Sequence, residues 1–326
     1  MSKPIASVSL DLDNEWTYLK VHGESSWRDY PSYLEIVVPR VLEFLKKRNL
    51  TITFFVVGQD AALEKNHAAL RALSEAGHEI GNHSFAHEPW LHLYSEAEVD
   101  DELSRAEERL EAVTGQRPLG FRGPGFSVSE TVLKVLKRRG YRYDASTFPT
   151  FLGPLARMYY FMTARLSAEE KKQRKLLFGT LGEGLRPLKP YRWSLGEDEL
   201  LEIPVTTLPF LKVPIHVSYL QYLASFSEIL ARRYWRMALS LCKVTGTGPS
   251  LLLHPLDFLG GDDVSSLAFF PAMKVPGEKK LARVGEYLEL MASRFEILPM
   301  REHAERALAS GAPRRLKPRF RGGDAD

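Results

Sequence analysis

Strand-like and helix-like patterns alternate regularly through the first 145 residues of this chain. Buried strand patterns occupy residues 5 to 10, 51 to 57 and 78 to 82, and helix patterns with apolar residues three and four apart lie between them. One of these helices begins at the capping box Ser95-Glu96-Ala97-Glu98 and ends at Gly115. Such alternation is typical of a parallel sheet covered by helices. With 44% hydrophobic residues among 326, the chain can bury a large core, so the sequence predicts an α/β fold.

Charge and cysteine content exclude several classes of protein. Lys and Arg number 44 against 41 Asp and Glu, and a net charge of +3 gives no reason to expect nucleic acid as a partner. The single cysteine, Cys242, excludes an intrachain disulfide framework and a cysteine-based zinc site. The N-terminus has no apolar signal pattern, and no stretch reaches the ~18 apolar residues of a membrane-spanning helix. We therefore expect a cytoplasmic protein that does not span a membrane.

Polar side chains follow the carboxyl ends of successive strands, where parallel α/β barrels gather their catalytic groups. Asp11 and Asp13 end the first strand pattern, and a later buried strand at 250 to 253 ends at His254. The intervening strands end at His83 and His87, at Arg122 and at Asp144. We expect all of these side chains to lie on one rim of the sheet.

Asp13, His83 and His87 together offer one carboxylate and two imidazoles. A D-x-D pair alone is more often a cap and a turn, and two histidines four apart usually lie on a solvated helix face. Together, however, these groups are typical ligands of one divalent metal, with Zn²⁺ first and Co²⁺, Ni²⁺ or Mn²⁺ as alternatives. Such a metal lowers the pKa of bound water and polarises a carbonyl oxygen, which suits hydrolysis of an amide.

The remaining rim residues supply the other groups that amide hydrolysis needs. Asp11 is the candidate general base, and Arg122 is predicted to pair with it. His254 is the candidate acid for the departing amine, with Asp144 or another carboxylate orienting its imidazole. The glycine-rich turn after Arg122 is suited to an oxyanion or substrate contact, for which the candidates are Gly125 and Phe126.

An aromatic-rich segment that follows the first strand is predicted to be a loop at the same rim. Its Trp16 and Trp27 are candidates for stacking on a sugar or a lipid, although such rings are as often packed beneath a loop.

The alternation of strands and helices stops at about residue 150 and resumes near 198. Apolar and aromatic residues at 151 to 162 precede a basic cluster at 171 to 175. This combination can lie in a membrane interface, or it can form a helical flap with a solvated charge run. We predict one domain over 1–310 with an insertion at about 150–197, followed by a basic, disordered tail at 311–326.

Five short motifs resemble, in order, those of the polysaccharide deacetylase superfamily, or NodB homology domain. They are Asp11-Leu12-Asp13, His83-Ser84-Phe85-Ala86-His87, Arg122-Gly123-Pro124-Gly125, Tyr143-Asp144-Ala145-Ser146 and Leu252-Leu253-His254-Pro255. The resemblance covers about residues 5 to 150 and 198 to 300. The D-x-D spacing is similar to a branch that includes peptidoglycan deacetylase-like, allantoinase-like and lipid-linked aminoarabinose deformylase-like members.

This resemblance implies a distorted (β/α) barrel, commonly of seven strands, and metal-dependent removal of an N-acyl group. It implies that Asp11 is the base, that Arg122 supports it, and that His254 is the acid. The implied metal ligands are Asp13, His83 and His87.

Three functions from different classes are consistent with these features. The first is hydrolysis of an acetyl or formyl group from an amino sugar carried on a lipid, with peripheral contact to an anionic membrane at its inner face. The second is a soluble amidase acting on a small nitrogen compound or a nucleotide-linked sugar. The third is a metal-bound scaffold without catalysis, against which the complete set of Asp11, Arg122 and His254 argues.

Overall fold

The computed structural model describes residues 3–153, 181–311, 313–318 and 320, and their strands and helices alternate as predicted. The strands are β1 (Ile5–Leu12), β2 (Thr53–Val56), β3 (Glu79–Asn82), β4 (Gly120–Phe121), β5 (Tyr143–Asp144), β6 (Tyr191–Leu195), β7 (Asp198–Glu202), β8 (Ser250–Leu253), β9 (Glu296–Leu298) and β10 (Arg315–Leu316). The helices are α1 (Glu15–His22), α2 (Leu34–Lys46), α3 (Gly58–Ala61), α4 (His67–Glu75), α5 (Glu96–Thr114), α6 (Glu130–Arg138), α7 (Val217–Phe226), α8 (Glu228–Thr245), α9 (Gly277–Arg294) and α10 (Met300–Ala309).

One sheet contains all of these strands, in the order β10-β6-β7-β5-β4-β3-β2-β1-β8, with β9 also paired to β1. All neighbours are parallel except β6 and β7. The chain that follows β7 joins the two sides of the sheet: Val205 N donates to Thr147 O (2.9 Å), and Thr206 N donates to Ser250 O (3.0 Å). Seven parallel strands from β8 through β1 to β7 therefore form a distorted ring, which confirms the predicted barrel.

Buried apolar side chains fill the ring and the layer between the strands and the helices. Strand β2 is buried at every position, as its β-branched and aromatic residues require. The predicted capping box begins α5, since Ser95 N donates to Glu98 Oε2 (2.8 Å) and Glu98 N donates to Ser95 Oγ (3.4 Å). Gly115 ends that helix with a φ of 69°, a conformation that glycine adopts without strain.

Three segments depart from a simple alternation of strands and helices. Residues 217–245 form two helices and not one, because Ser227 leaves the helical conformation and caps α8 with its side chain. Residues 191–195 of the predicted insertion form β6, an antiparallel partner of β7. The predicted tail is ordered at Arg315–Leu316, which pairs with β6.

The apolar and basic residues of the insertion between 154 and 180 lie outside the described residues. No helix in the part of the chain that the structure describes combines the length and apolar character needed to cross a bilayer.

The aromatic segment after β1 is not a loop but helix α1 followed by a 3-10 helix, Ser25–Asp29. A buried carboxyl group, Asp60 of α3, holds its start in place. Asp60 Oδ1 accepts hydrogen bonds from Asn14 Nδ2 (2.7 Å), Trp16 Nε1 (2.9 Å) and Asn66 Nδ2 (3.2 Å). This network orients the chain directly after Asp13, so it stabilises the part of the rim on which Asp13 lies.

We predict that Asp60 makes the folded state less stable as the pH rises. Burial raises its pKa from 3.8 to about 7, against the opposing hydrogen bonds of Asn14 and Trp16. Between these two pH values the folded chain binds more protons than the unfolded chain, so stability is lost as the pH rises, by about 1.4 kcal/mol for each unit of pKa shift. The substitution Asp60→Asn keeps the acceptor Oδ1 and removes the titration. Urea unfolding at pH 5 and pH 8 with a chelator present is expected to show a smaller loss of stability for Asp60→Asn, and equal losses would contradict the prediction.

Candidate active site

Asp13, His83 and His87 converge at the carboxyl ends of β1 and β3. Asp13 Oδ1 lies 2.9 Å from His87 Nε2 and 3.3 Å from His83 Nε2. One ligand atom from each of the three side chains lies within 4.8 Å of the others. The structure thus brings together the three predicted metal ligands.

The ring of His83 is held in one orientation by the next strand. Its Nδ1 lies 2.6 Å from the carbonyl oxygen of Arg122, which follows β4. Because a carbonyl only accepts, Nδ1 carries a proton, and Nε2 is the ring nitrogen that faces Asp13.

The two histidines share a strained turn and not a helical turn. Ser84 and His87 have φ values of 60° and 53°, which residues with a side chain rarely adopt. The buried carboxylate of Glu102 on α5 accepts hydrogen bonds from Phe85 N and Ala86 N, both at 2.9 Å. Glu102 therefore stabilises the turn that places His87, a role that its position inside a helix pattern did not reveal.

The donor set fits a divalent cation. Asp13 Oδ1 and both ring nitrogens of His87 are buried and, although Oδ1 and Nε2 lie 2.9 Å apart, make no hydrogen bond of normal geometry with the described residues. Buried polar atoms are normally satisfied, so these atoms are available to a bound ligand. Burial alone would raise the pKa of Asp13, but the imidazoles of His87 and His83 hold it well below its usual range, which keeps the carboxylate charged. One carboxylate and two imidazoles with room for further ligands are typical of a catalytic metal site.

Asp11 and Arg122 form the predicted ion pair on the same rim. Arg122 Nη1 lies 2.6 Å from Asp11 Oδ1 and also donates to Ser9 Oγ (2.8 Å). Arg122 Nε donates to Ala145 O (2.9 Å), and the guanidinium lies 4.4 Å from the ring centre of Phe55. These contacts leave the fully buried arginine a single orientation.

His254 follows β8, which neighbours β1 with Leu253 opposite Leu10. The next residues, Asp11 and His254, are therefore neighbours along the rim. His254 Nδ1 lies 3.0 Å from Ser218 Oγ, which donates to Asp257 Oδ2 at 3.1 Å. The same Asp257 oxygen accepts from His254 N at 2.8 Å. Ser218 thus connects the ring to a carboxylate, and Nε2 remains for proton exchange.

The prediction that Asp144 orients His254 is wrong, and its alternative, another carboxylate, is Asp257. Asp144 Oδ1 accepts from Ser146 Oγ at 2.5 Å, and Asp144 lies opposite Glu202 on β7. Burial raises the pKa values of both of these carboxyl groups. The signal for Asp257 was its place three residues after His254, where it caps the 3-10 helix Pro255–Asp257.

The predicted substrate contacts Trp16, Trp27 and Gly125 differ in their exposure to solvent. Trp16 is 1% exposed and donates to Asp60, so its ring is not available for stacking. Trp27 is half-buried beneath Lys20, whose Nζ lies 5.1 Å from one of its ring centres. Gly125 is exposed on the turn after Arg122, and its role toward an oxyanion stays a prediction.

A wall of rings that the sequence did not reveal connects that turn to His254. Phe126 stacks on Phe148 at 4.8 Å between ring centres, and Phe148 lies 5.6 Å from His216. His216 lies 6.3 Å from His254. Burial lowers the pKa of His216 to about 3, with the charge of His254 adding to the effect, so His216 is a neutral member of the wall.

Several known proteins with similar sequences are named deacetylases. A sequence model of the family Polysaccharide deacetylase matches residues 27–143. A peptidoglycan deacetylase of Helicobacter pylori is 30% identical over 151 residues, which cover 45% of this chain and 50% of that protein. A peptidoglycan-N-acetylmuramic acid deacetylase of Bacillus subtilis is 40% identical over 105 residues, which cover 32% of this chain and 39% of that protein. The chain thus spans about half the length, or less, of these curated relatives.

Two solved structures share the fold over almost the entire chain. A Mycobacterium smegmatis protein assigned to the polysaccharide deacetylases has a TM-score of 0.65 at 21% identity, covering 98% of this chain and 95% of its own. An allantoinase has a TM-score of 0.55 at 17% identity, covering 94% and 90%. The family model and the curated relatives agree that residues 27–143 are similar to the polysaccharide deacetylase family, within a fold that the two solved structures share.

Proposed function

We propose that this chain is a metal-dependent hydrolase that removes an N-acyl group, acetyl or formyl, from an amino sugar. The observation that carries the proposal is the convergence of Asp13, His83 and His87 beside the ion pair of Asp11 and Arg122. The names of the curated relatives support an N-acetylated amino sugar of the peptidoglycan type.

The cluster of Asp13, His83 and His87 would hold one divalent cation, with Zn²⁺ preferred by its mixture of imidazole and carboxylate. When bound, such a cation supplies Lewis acidity, which lowers the pKa of water and polarises a carbonyl oxygen. His83 contributes through Nε2, since its Nδ1 is engaged by the Arg122 carbonyl.

Asp11 would remove a proton from the attacking water. Its Oδ1 is engaged by Arg122 Nη1, so Oδ2 is the oxygen left for the water. Arg122 cannot move away, because Ser9 and Ala145 fix its guanidinium. The base is therefore oriented before substrate binds, which lowers the entropic cost of the proton transfer.

His254 is placed to protonate the departing amine. Its Nδ1 donates to Ser218 Oγ, and the hydroxyl passes the interaction on to Asp257. This arrangement stabilises the ring when Nε2 carries a proton and directs that proton toward the rim. The backbone near Gly125 completes the proposal as the contact for the oxyanion.

An amino sugar carried on a lipid is a second candidate substrate, and the exposed apolar and basic corner described below favours it. The cytoplasmic face of the membrane stays a prediction for the location of this reaction. A soluble small amide is the competing substrate. Incubating the zinc-loaded protein with separated lipid and aqueous cell extracts, and measuring free acetate and formate, distinguishes these candidates by the fraction that releases acid.

We predict that metal binding and catalysis can be separated by substitution. His87→Ala is expected to lose both the bound metal and turnover, because one of three ligands is removed. Asp11→Asn is expected to keep the metal but to lose a factor of about 10² to 10⁴ in kcat, because it removes the base. Metal content after dialysis, measured by mass spectrometry, and acetate release from chitin oligomers or peptidoglycan fragments check both results.

The matched control for His87 is His67→Ala, since His67 lies on α4 and bonds only to the backbone oxygen of Ala61. It should retain metal and turnover. Normal turnover by Asp11→Asn would refute the assignment of the base. An active protein without metal after chelation would refute the metal site.

We predict that Ser218 acts on catalysis through His254. Ser218→Ala is expected to lower kcat by about tenfold, with metal content unchanged, because the imidazolium loses its connection to a carboxylate. Ser225→Ala, an exposed serine of the same helix, is the control. An unchanged kcat for Ser218→Ala would assign this serine a purely structural role.

A further inference from the structure

The corner where α7 meets α8 exposes an unusual group of apolar side chains. Phe226 is 71% exposed, Ile229 is 65% exposed and Leu230 is 51% exposed, all within one turn of the break at Ser227. Tyr222, one turn earlier on α7, meets Phe226 edge to face at 5.1 Å between ring centres. None of these four side chains is needed to fill the core, which α8 enters on its other face through Trp235.

Cations surround this corner. Arg233 and Arg236 are exposed on the following turns of α8. A groove of about 570 Å³ lies beside Tyr222 and Phe226, and Lys274, Lys279 and Arg283 also line it.

One acidic residue at this corner, Glu228, offsets part of its positive charge. Glu228 pairs with Lys279 (3.0 Å) and with Arg283 (2.7 Å), whereas Arg233 and Arg236 lie on later turns of α8. The corner therefore combines protruding apolar side chains with a surplus of positive charge.

Helix α7 connects this corner to the candidate active site. Its first turn carries Ser218, which contacts His254, and its last residue is Phe226. At the ~1.5 Å rise per residue of an α-helix, these two residues are about 12 Å apart. A ligand anchored at the corner is thus within one short helix of the rim.

We propose that the α7–α8 corner, formed by Tyr222, Phe226, Ile229, Leu230, Arg233 and Arg236, binds the surface of an anionic lipid bilayer. The apolar side chains enter the boundary between headgroups and acyl chains, and the arginines contact lipid phosphates. In this orientation the rim receives an amino sugar whose lipid carrier stays in the bilayer, a consequence that rests on the proposed function.

A bilayer matches this surface better than a second copy of the chain does. A twofold dimer through the corner would bring the same basic patch of each copy together, and patches of like charge repel. Anionic lipids instead offer charge of the opposite sign across the whole patch, at about 1 kcal/mol for each basic residue near the surface.

Flotation of the full chain with vesicles tests this proposal. The chain is expected to float with vesicles of equal phosphatidylglycerol and phosphatidylcholine, and less at high salt or with phosphatidylcholine alone. Joint Phe226→Ser and Ile229→Ser substitution should lower the partition coefficient by at least tenfold, since two exposed apolar anchors are removed. Joint Arg233→Glu and Arg236→Glu substitution should lower it by a similar factor. Leu308→Ser and Arg109→Glu, exposed positions on other helices, are the matched controls and should float like the original chain.

The other outcomes either contradict the proposal or separate it from the proposed function. A chain that stays soluble with anionic vesicles refutes it, and corner variants that float normally move the contact to another surface. A dimer in size-exclusion chromatography that the corner variants convert to monomer, without vesicle binding, assigns the corner to a second copy. Unchanged melting temperatures and unchanged hydrolysis of a soluble oligosaccharide show that the variants are folded. If no amide is hydrolysed while flotation behaves as expected, the proposed function fails and the membrane surface stands.

Discussion

The buried guanidinium of Arg122 is the contact on which the rest of the site depends. It bonds to Ser9 and Asp11 of β1, to the chain after β5 at Ala145, and it lies on the ring of Phe55 in β2. Its own carbonyl orients His83. An unpaired buried charge costs several kcal/mol, so this arginine is tolerated only because all of these strands supply partners. The same requirement keeps Asp11, the proposed base, in register with His83, a proposed metal ligand.

A second constraint is the strained turn that carries the two histidines. Left-handed backbone at Ser84 and His87 is unfavourable, and the buried Glu102 offsets it by accepting two backbone hydrogen bonds. Strain of this kind is common at binding sites, where the surrounding structure holds a conformation that the chain alone would leave. The three candidate ligand atoms are thus already close together, which would reduce the entropy lost on binding the proposed cation.

Helix α7 connects the candidate active site to the exposed α7–α8 corner. One end supplies the hydroxyl that connects His254 to Asp257, and the other end exposes Phe226 beside the cations of α8 and α9. At the break, Ser227 caps α8 with its side chain, and the two helices meet at the corner where Phe226, Ile229 and Leu230 are exposed.

The sequence by itself determined the α/β class, the rim and the three ligand positions. It could do so because parallel strands place their carboxyl ends on one edge, so residues that directly follow strands must meet whatever the details of packing. Only the tertiary structure decided which carboxylate serves His254, how Glu102 supports the ligand turn, and that Asp60 takes the indole of Trp16. These contacts join residues far apart in the chain, and no local periodicity encodes them. The short strands β6 and β10 were likewise invisible in the sequence, because their pairing with neighbours, and not their own pattern, makes them strands.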